Sequence, residues 1–179
     1  MATGLLLVDI QNDYFAGGKM ELVGMEAAAQ NAAALLSRAR GAGVPVYHIQ
    51  HVSARPGATF FLPGTEGVEH HALVRPMDGE LVVQKHFPNS FRDTPLLEAV
   101  HRDGVNTVVI CGAMSHMCID ATTRAAFDLG FACTVAADAC ATRDLAFRGE
   151  TIPAAQVHAS FMAALAVPYA RIADTAELV

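Results

Sequence analysis

Short apolar runs alternate with longer helix-forming stretches along the whole chain, and this alternation constrains the fold more than any other feature. Leu5–Ile10 is a continuous apolar run bounded by the turn chemistry of Asn12 and Asp13, as expected of a strand covered on both faces. Glu26 to Arg40 is rich in Ala and Leu, and Gly41 and Gly43 mark a helix stop. Val44–Ile49 reads as a second strand and Leu81–Lys85 as a short third one. Thr94-Pro95 opens a helix, with Thr as cap and Pro in the first turn, running to Asp103 before Gly104. Thr107–Cys111 is a fourth strand that Gly112 breaks. Cys118 to Leu129 reads as helix, with Asp120, Arg124 and Asp128 four apart on one face and Gly130 at its stop. Cys133–Ala137 is a fifth strand. A helix from about Pro153 to Leu165 and a sixth short strand near Tyr169–Ala173 finish the pattern.

Strands that alternate with helices make β-α-β units, hence a largely parallel sheet with helices on both faces. The expectation is an α/β chain of three layers, α/β/α and Rossmann-like, with about six strands. At 179 residues, with no linker, repeat or low-complexity tract, residues 1–179 read as a single domain. The stretch from Val52 to Gly79 is too long for an ordinary connection, and a loop of that length is expected to shape a pocket.

Composition narrows the partners. The chain is 53% hydrophobic and only 17% charged, against about 25% charged in average soluble proteins. Disorder is excluded, and subunit association, as a homodimer or tetramer, is expected. The longest apolar stretches fall far short of the ~18 residues of a spanning helix, so no membrane partner is expected. Met1 to Ile10 has no basic n-region, so no signal peptide is expected. Twelve Lys and Arg against eighteen Asp and Glu give a net charge of −6. The basic residues are scattered, which excludes a phosphate-tracking nucleic-acid surface. The four cysteines, Cys111, Cys118, Cys133 and Cys140, lack C-x-x-C spacing and read as reduced thiols of a cytoplasmic protein.

In open parallel sheets, ligands bind beyond the C-terminal ends of the strands. That rule selects Asp9, Gln11 and Asp13 after the first strand, Lys85 at the third, and Gly112 to Cys118 after the fourth. No G-x-G-x-x-G and no P-loop lysine pattern is present, so no nucleotide cofactor is implied. Cys118 falls where a helix is expected to begin, and a helix N-terminus favours a thiolate. Cys111 and Cys133 lie inside apolar strands and read as small hydrophobes. An acid, a cation and a thiol thus gather on one edge of one sheet.

These residues fall in three blocks: Leu7-Val8-Asp9-Ile10-Gln11-Asn12-Asp13-Tyr14-Phe15, then Gln84-Lys85 with Asn89-Ser90-Phe91, then Val108 to Gly112 followed by Ala113-Met114-Ser115-His116-Met117-Cys118-Ile119-Asp120-Ala121-Thr122. In order and spacing the chain resembles the isochorismatase-like cysteine hydrolases, which include nicotinamidases and other small-amide hydrolases. The resemblance implies a triad of Asp9, Lys85 and Cys118, and a cis peptide between Ala113 and Met114. It also implies an oxyanion hole from the backbone N–H groups of Met114 and Cys118, and a small amide as substrate. Lys85 would stabilise the thiolate and Asp9 would take the thiol proton, so Cys118 is expected to react with alkylating agents below the ordinary thiol pKa.

Two departures limit what the resemblance carries. Nicotinamidases often hold a metal near the site through an aspartate and histidines. Here the second strand ends Tyr47-His48-Ile49-Gln50-His51 without one. His48, His51, His70 and His71 therefore read as hydrogen-bonded histidines, and no metal or other cofactor is expected. Family members that cleave the isochorismate vinyl ether generally lack the cysteine, so Cys118 points to amide hydrolysis. Gln11, Tyr14, Phe15, Phe60, Phe61, Phe87 and Phe91 are the candidate pocket residues.

Overall fold

A computed structural model describes residues 2–178. In chain order it contains β1 (Ala2–Val8), α1 (Met25–Ala42), β2 (Val46–His51), β3 (Leu81–Lys85), α2 (Leu96–Arg102), β4 (Val105–Ala113), α3 (Asp120–Asp128), β5 (Ala132–Ala141), β6 (Leu145–Phe147), β7 (Glu150–Ile152), α4 (Ala154–Leu165) and β8 (Arg171–Ala173). Six strands form one sheet in the order β3-β2-β1-β4-β5-β8, with every neighbouring pair parallel. The fold is a three-layer α/β/α sandwich.

The period of a strand explains how one apolar run serves two cores. In β1, Leu5 and Leu7 pack on the α1 side against Ala28, Ala29, Ala32, Leu35 and Leu36. Leu6 and Val8 point the other way, toward Leu96 and Val100 of α2, Ala126 of α3, and Met162 and Leu165 of α4. Strand order reverses between β1 and β4, because the chain leaves β1 through α1 on one face and reaches β4 through α2 on the other. That switch point opens a crevice at the C-terminal edge of the sheet.

Several boundaries differ from the sequence reading. Helix α1 runs through Gly41, because the left-handed cap falls on Gly43, whose φ is 66° and whose N–H reaches Ala39 O and Arg40 O. Gly112 does not end β4. It sits within the strand at φ 124°, where the β4–β5 register shifts. The helix expected from Cys118 is preceded by a wide turn, Ser115–Ile119, in which Ile119 N–H reaches back to Met114 O at 3.2 Å. The antiparallel hairpin β6–β7 has no counterpart in the sequence reading, since each arm has only three residues.

The long connection after β2 is anchored by buried polar groups. Asp13 accepts from Phe61 N–H at 2.6 Å and Lys19 N–H at 3.1 Å. Gln11 donates to Val68 O at 2.6 Å and to His51 O at 2.9 Å, and accepts from His51 N–H at 2.8 Å. The loop is thereby pinned over the crevice. Among the described residues no helix is long and apolar enough to cross a membrane.

Candidate active site

Three strand ends deliver the polar residues of the crevice. Asp9 follows β1 directly and adopts φ 53°, a left-handed conformation that Asp tolerates better than most residues. Its N–H bonds Ile49 O at 3.1 Å, and its carbonyl accepts from Gln11 N–H at 3.0 Å. Lys85 is the last residue of β3. Cys118 sits on the wide turn after β4, and the preceding Ala113–Met114 peptide is cis. Ser115 Oγ lies 2.8 Å from His158 Nδ1 and 3.3 Å from Ala141 O, and His116 Nδ1 lies 2.6 Å from Thr142 Oγ1. These contacts brace the turn against β5 and α4.

The three side chains meet although they are far apart in sequence. Lys85 Nζ donates to Asp9 Oδ2 at 2.7 Å, to Cys118 Sγ at 3.3 Å and to His51 Nδ1 at 3.1 Å. All three members of the Asp9, Lys85 and Cys118 set are buried. Asp9 Oδ1 is buried with no hydrogen-bond partner, so one carboxylate oxygen is committed to the lysine and the other is open.

Charge balance sets the protonation states. Against the desolvation of its burial, the Asp9 carboxylate and then the Cys118 sulfur hold Lys85 above its ordinary ammonium value. Burial, reinforced by Asp9 and only partly opposed by Lys85, pushes the Cys118 thiol up. The expectation of a resting thiolate is therefore corrected. The ammonium is already neutralised by the nearer Asp9, and a thiolate would leave a net negative charge in a desolvated site. Cys118 does lie near a helix start, in the wide turn Ser115–Ile119 that continues directly into α3, but that terminus does not outweigh the burial. Burial and charge together favour a protonated Cys118 thiol beside a charged Lys85 ammonium.

His51, which the sequence reading took as a hydrogen-bonded histidine without a place in the site, is a member of it through its bond to Lys85. It lies at the C-terminal end of β2, on the same sheet edge as the others. Chiefly through burial, its imidazole is pushed down to about 4, so it accepts from Lys85 as a neutral ring. Asp9, His51 and Cys118 offer ligand atoms within 4.8 Å of one another. The Lys85 ammonium, however, already binds all three, and a metal cation there would face a buried like charge. These residues do not fit a metal. Of the other histidines, His48 Nε2 pairs with Glu80 Oε2 at 2.8 Å, and His71 stacks on Phe15 with centroids 3.6 Å apart. His70 departs from the hydrogen-bonded reading: its Nε2 is buried without a partner.

A small cavity of about 240 Å³ lies over Cys118. Of the candidate pocket residues, Tyr14, Phe60 and Phe87 line it, together with Met114 of the turn that carries Cys118. Gln11 and Phe61 do not, because they are fully buried in holding the long loop. Phe15 is turned onto His71, and Phe91 packs against Phe131 in the other core. Ser53, Arg55, His86, Pro88 and Met117 also line the cavity. None of these five was a candidate pocket residue in the sequence reading, and only His86, next to Lys85, and Met117, next to Cys118 in the third block, carried a positional signal.

An isochorismatase-domain family model matches residues 3–176. The chain belongs to the isochorismatase family. An uncharacterized isochorismatase-family protein of Bacillus subtilis, YddQ, is 53% identical over 175 residues, covering 98% of this chain and 97% of that one. The solved structure of an Oleispira antarctica protein assigned as an isochorismatase hydrolase matches with a TM-score of 0.95 at 54% identity, covering 99% of this chain and 95% of the other. Maleamate amidohydrolase of Pseudomonas putida is 30% identical over 141 residues, 71% of this chain and 66% of that enzyme. The family is one of hydrolases, some of which act on amides.

Proposed function

We propose that this isochorismatase-family protein is a cysteine-dependent hydrolase that cleaves the C–N bond of a small carboxamide through a thioester. The observation that carries this reading is the buried Lys85 ammonium hydrogen-bonded to both Asp9 and Cys118, beside an Asp9 oxygen that has no partner. An open carboxylate oxygen next to a thiol can receive its proton at the moment of attack. Amide hydrolysis by a relative, maleamate amidohydrolase, agrees with it.

In the first step, the Cys118 sulfur bonds to the amide carbon while its proton passes to Asp9. The carbonyl electron pair moves onto oxygen. The family resemblance assigns that oxyanion to the backbone N–H groups of Met114 and Cys118, the first directly after the cis peptide and the second on the wide turn that follows it. Collapse breaks the C–N bond, and Asp9 returns the proton to the departing nitrogen. Asp9 then takes a proton from water as the water oxygen attacks the thioester. The C–S bond breaks and the sulfur regains the proton. Lys85 keeps its charge throughout and holds both partners in place.

The test is product formation over a panel of nicotinamide, pyrazinamide, carbamoyl compounds and lactams, with hydroxylamine added to intercept the acyl group. A hydroxamate product and an acyl mass adduct on Cys118 are expected. Cys118→Ala should lose at least about a thousandfold in rate, since nucleophile and proton relay act as one unit. Turnover that survives Cys118→Ala overturns the proposal.

A further inference from the structure

The wall of the cavity over Cys118 is divided. Tyr14, Phe60, Phe87 and Pro88 give one apolar part, whereas Arg55 and His86 give a basic part. Among the described residues, no acidic side chain lines this cavity. Arg55 takes part in none of the ion pairs of the described residues. Its charge is felt at His51, whose protonated form is disfavoured first by burial and, against Asp9, by Lys85 and Arg55 among its neighbours. His86 has its Nδ1 engaged with Val52 O at 2.7 Å, so only Nε2 can meet a ligand. Outside the cavity, the Arg92 guanidinium covers the Phe87 ring at 3.6 Å from its centroid. A chain with net charge −6 thus presents a basic wall, with Arg55 free of any ion pair among the described residues, at the crevice that holds the Cys118 thiol. Such a wall attracts anions and repels cations.

We infer that the substrate is an amide bearing a carboxylate, with the amide carbon at Cys118 and the carboxylate on Arg55. This rests on the amidase reading above and adds the substrate class to it. A planar guanidinium offers a carboxylate two parallel N–H donors, which lysine does not. The apolar walls then enclose the few carbons that join the two ends, and the small cavity excludes a long chain.

The experiment compares succinamate with its methyl ester, which keeps the amide and the length but removes the charge. Succinamate should be favoured at least tenfold in kcat/KM, or about 1.4 kcal/mol. The preference should shrink as salt is raised. Arg55→Ala should bring the ratio of the two toward one, and Arg55→Lys should fall between. Equal or better hydrolysis of the ester by the unmodified protein, or a ratio unchanged in Arg55→Ala, overturns the inference. Should neither compound be turned over, the amidase reading suffers but the binding claim remains testable. Calorimetry on Cys118→Ala should then find succinamate bound more tightly than the ester, and the difference should vanish in Cys118→Ala with Arg55→Ala. Equal binding of the two overturns the inference by itself.

Discussion

Asp9→Asn keeps the shape of the carboxylate and removes its charge and its basicity. Two effects of opposite direction follow. The Asp9 carboxylate helps burial to push the Cys118 thiol up, and the two ligand atoms lie within 4.8 Å. At an effective dielectric of about 20, a unit charge at that distance is worth roughly 3.5 kcal/mol, or about 2.5 pH units of thiol titration. Freed from Asp9, the Lys85 ammonium also acts on sulfur alone. Thiolate at fixed pH should then rise roughly 300-fold, but a less basic thiolate is a poorer nucleophile, and with a Brønsted coefficient near 0.45 the alkylation rate gains only about 20-fold. Turnover should nevertheless fall by roughly a hundredfold to ten-thousandfold, the span of general acid–base catalysis, because the proton relay is gone. The assay is iodoacetamide labelling followed by intact mass over a pH series, with Cys118→Ser as the blank for Cys111, Cys133 and Cys140. Lys85→Met should shift labelling the opposite way, to higher pH. An Asp9→Asn protein that labels no faster than the unmodified one, or that retains full turnover, refutes the assignment of Asp9 as the base facing a resting thiol.

Further expectations follow from burial and backbone geometry. Gly112 sits at φ 124°, and a Cβ there would overlap the Val8 carbonyl oxygen. Gly112→Ala should cost roughly 3 kcal/mol or more in urea unfolding, and a loss below about 1 kcal/mol would contradict this packing. Chiefly by burial, His51 and His70 are each pushed down from 6.5 to about 4. The unfolded chain therefore binds more protons than the folded one between those values. The stability these rings contribute is fully present above pH 6.5 and is lost as pH falls toward 4, at up to about 1.4 kcal/mol per pH unit for each histidine. His70→Gln should flatten that slope by one proton, and an unchanged slope argues against a neutral buried His70. We also propose subunit association, from the low charged fraction. Light scattering should return a multiple of 18.9 kDa, and a monomer at micromolar concentration counts against it.

The division of labour between sequence and fold is visible residue by residue. The sequence by itself determined the layers: the continuous apolar run from Leu5 to Ile10 and the Ala- and Leu-rich stretch of α1 are local patterns, and local patterns specify elements. It also determined which sheet edge gathers these polar residues, since Asp9, Lys85 and Cys118 each stand at or just beyond a strand end. Element ends were less legible. Gly41 and Gly43 are equally good stops in a string, and only the packed helix selects the one in the left-handed conformation. Tertiary structure alone decided which residues of the first block reach the Cys118 site: Asp9 meets Lys85 beside the thiol, whereas Gln11 and Asp13, with the same polar character, tie down the long loop. It likewise decided the charge state of Cys118. A lysine beside a cysteine favours a thiolate, but a lysine 2.7 Å from a carboxylate and 3.3 Å from the sulfur, all out of water, does not. Burial and the distances among three charges are properties of the assembled site, and no stretch of sequence contains them.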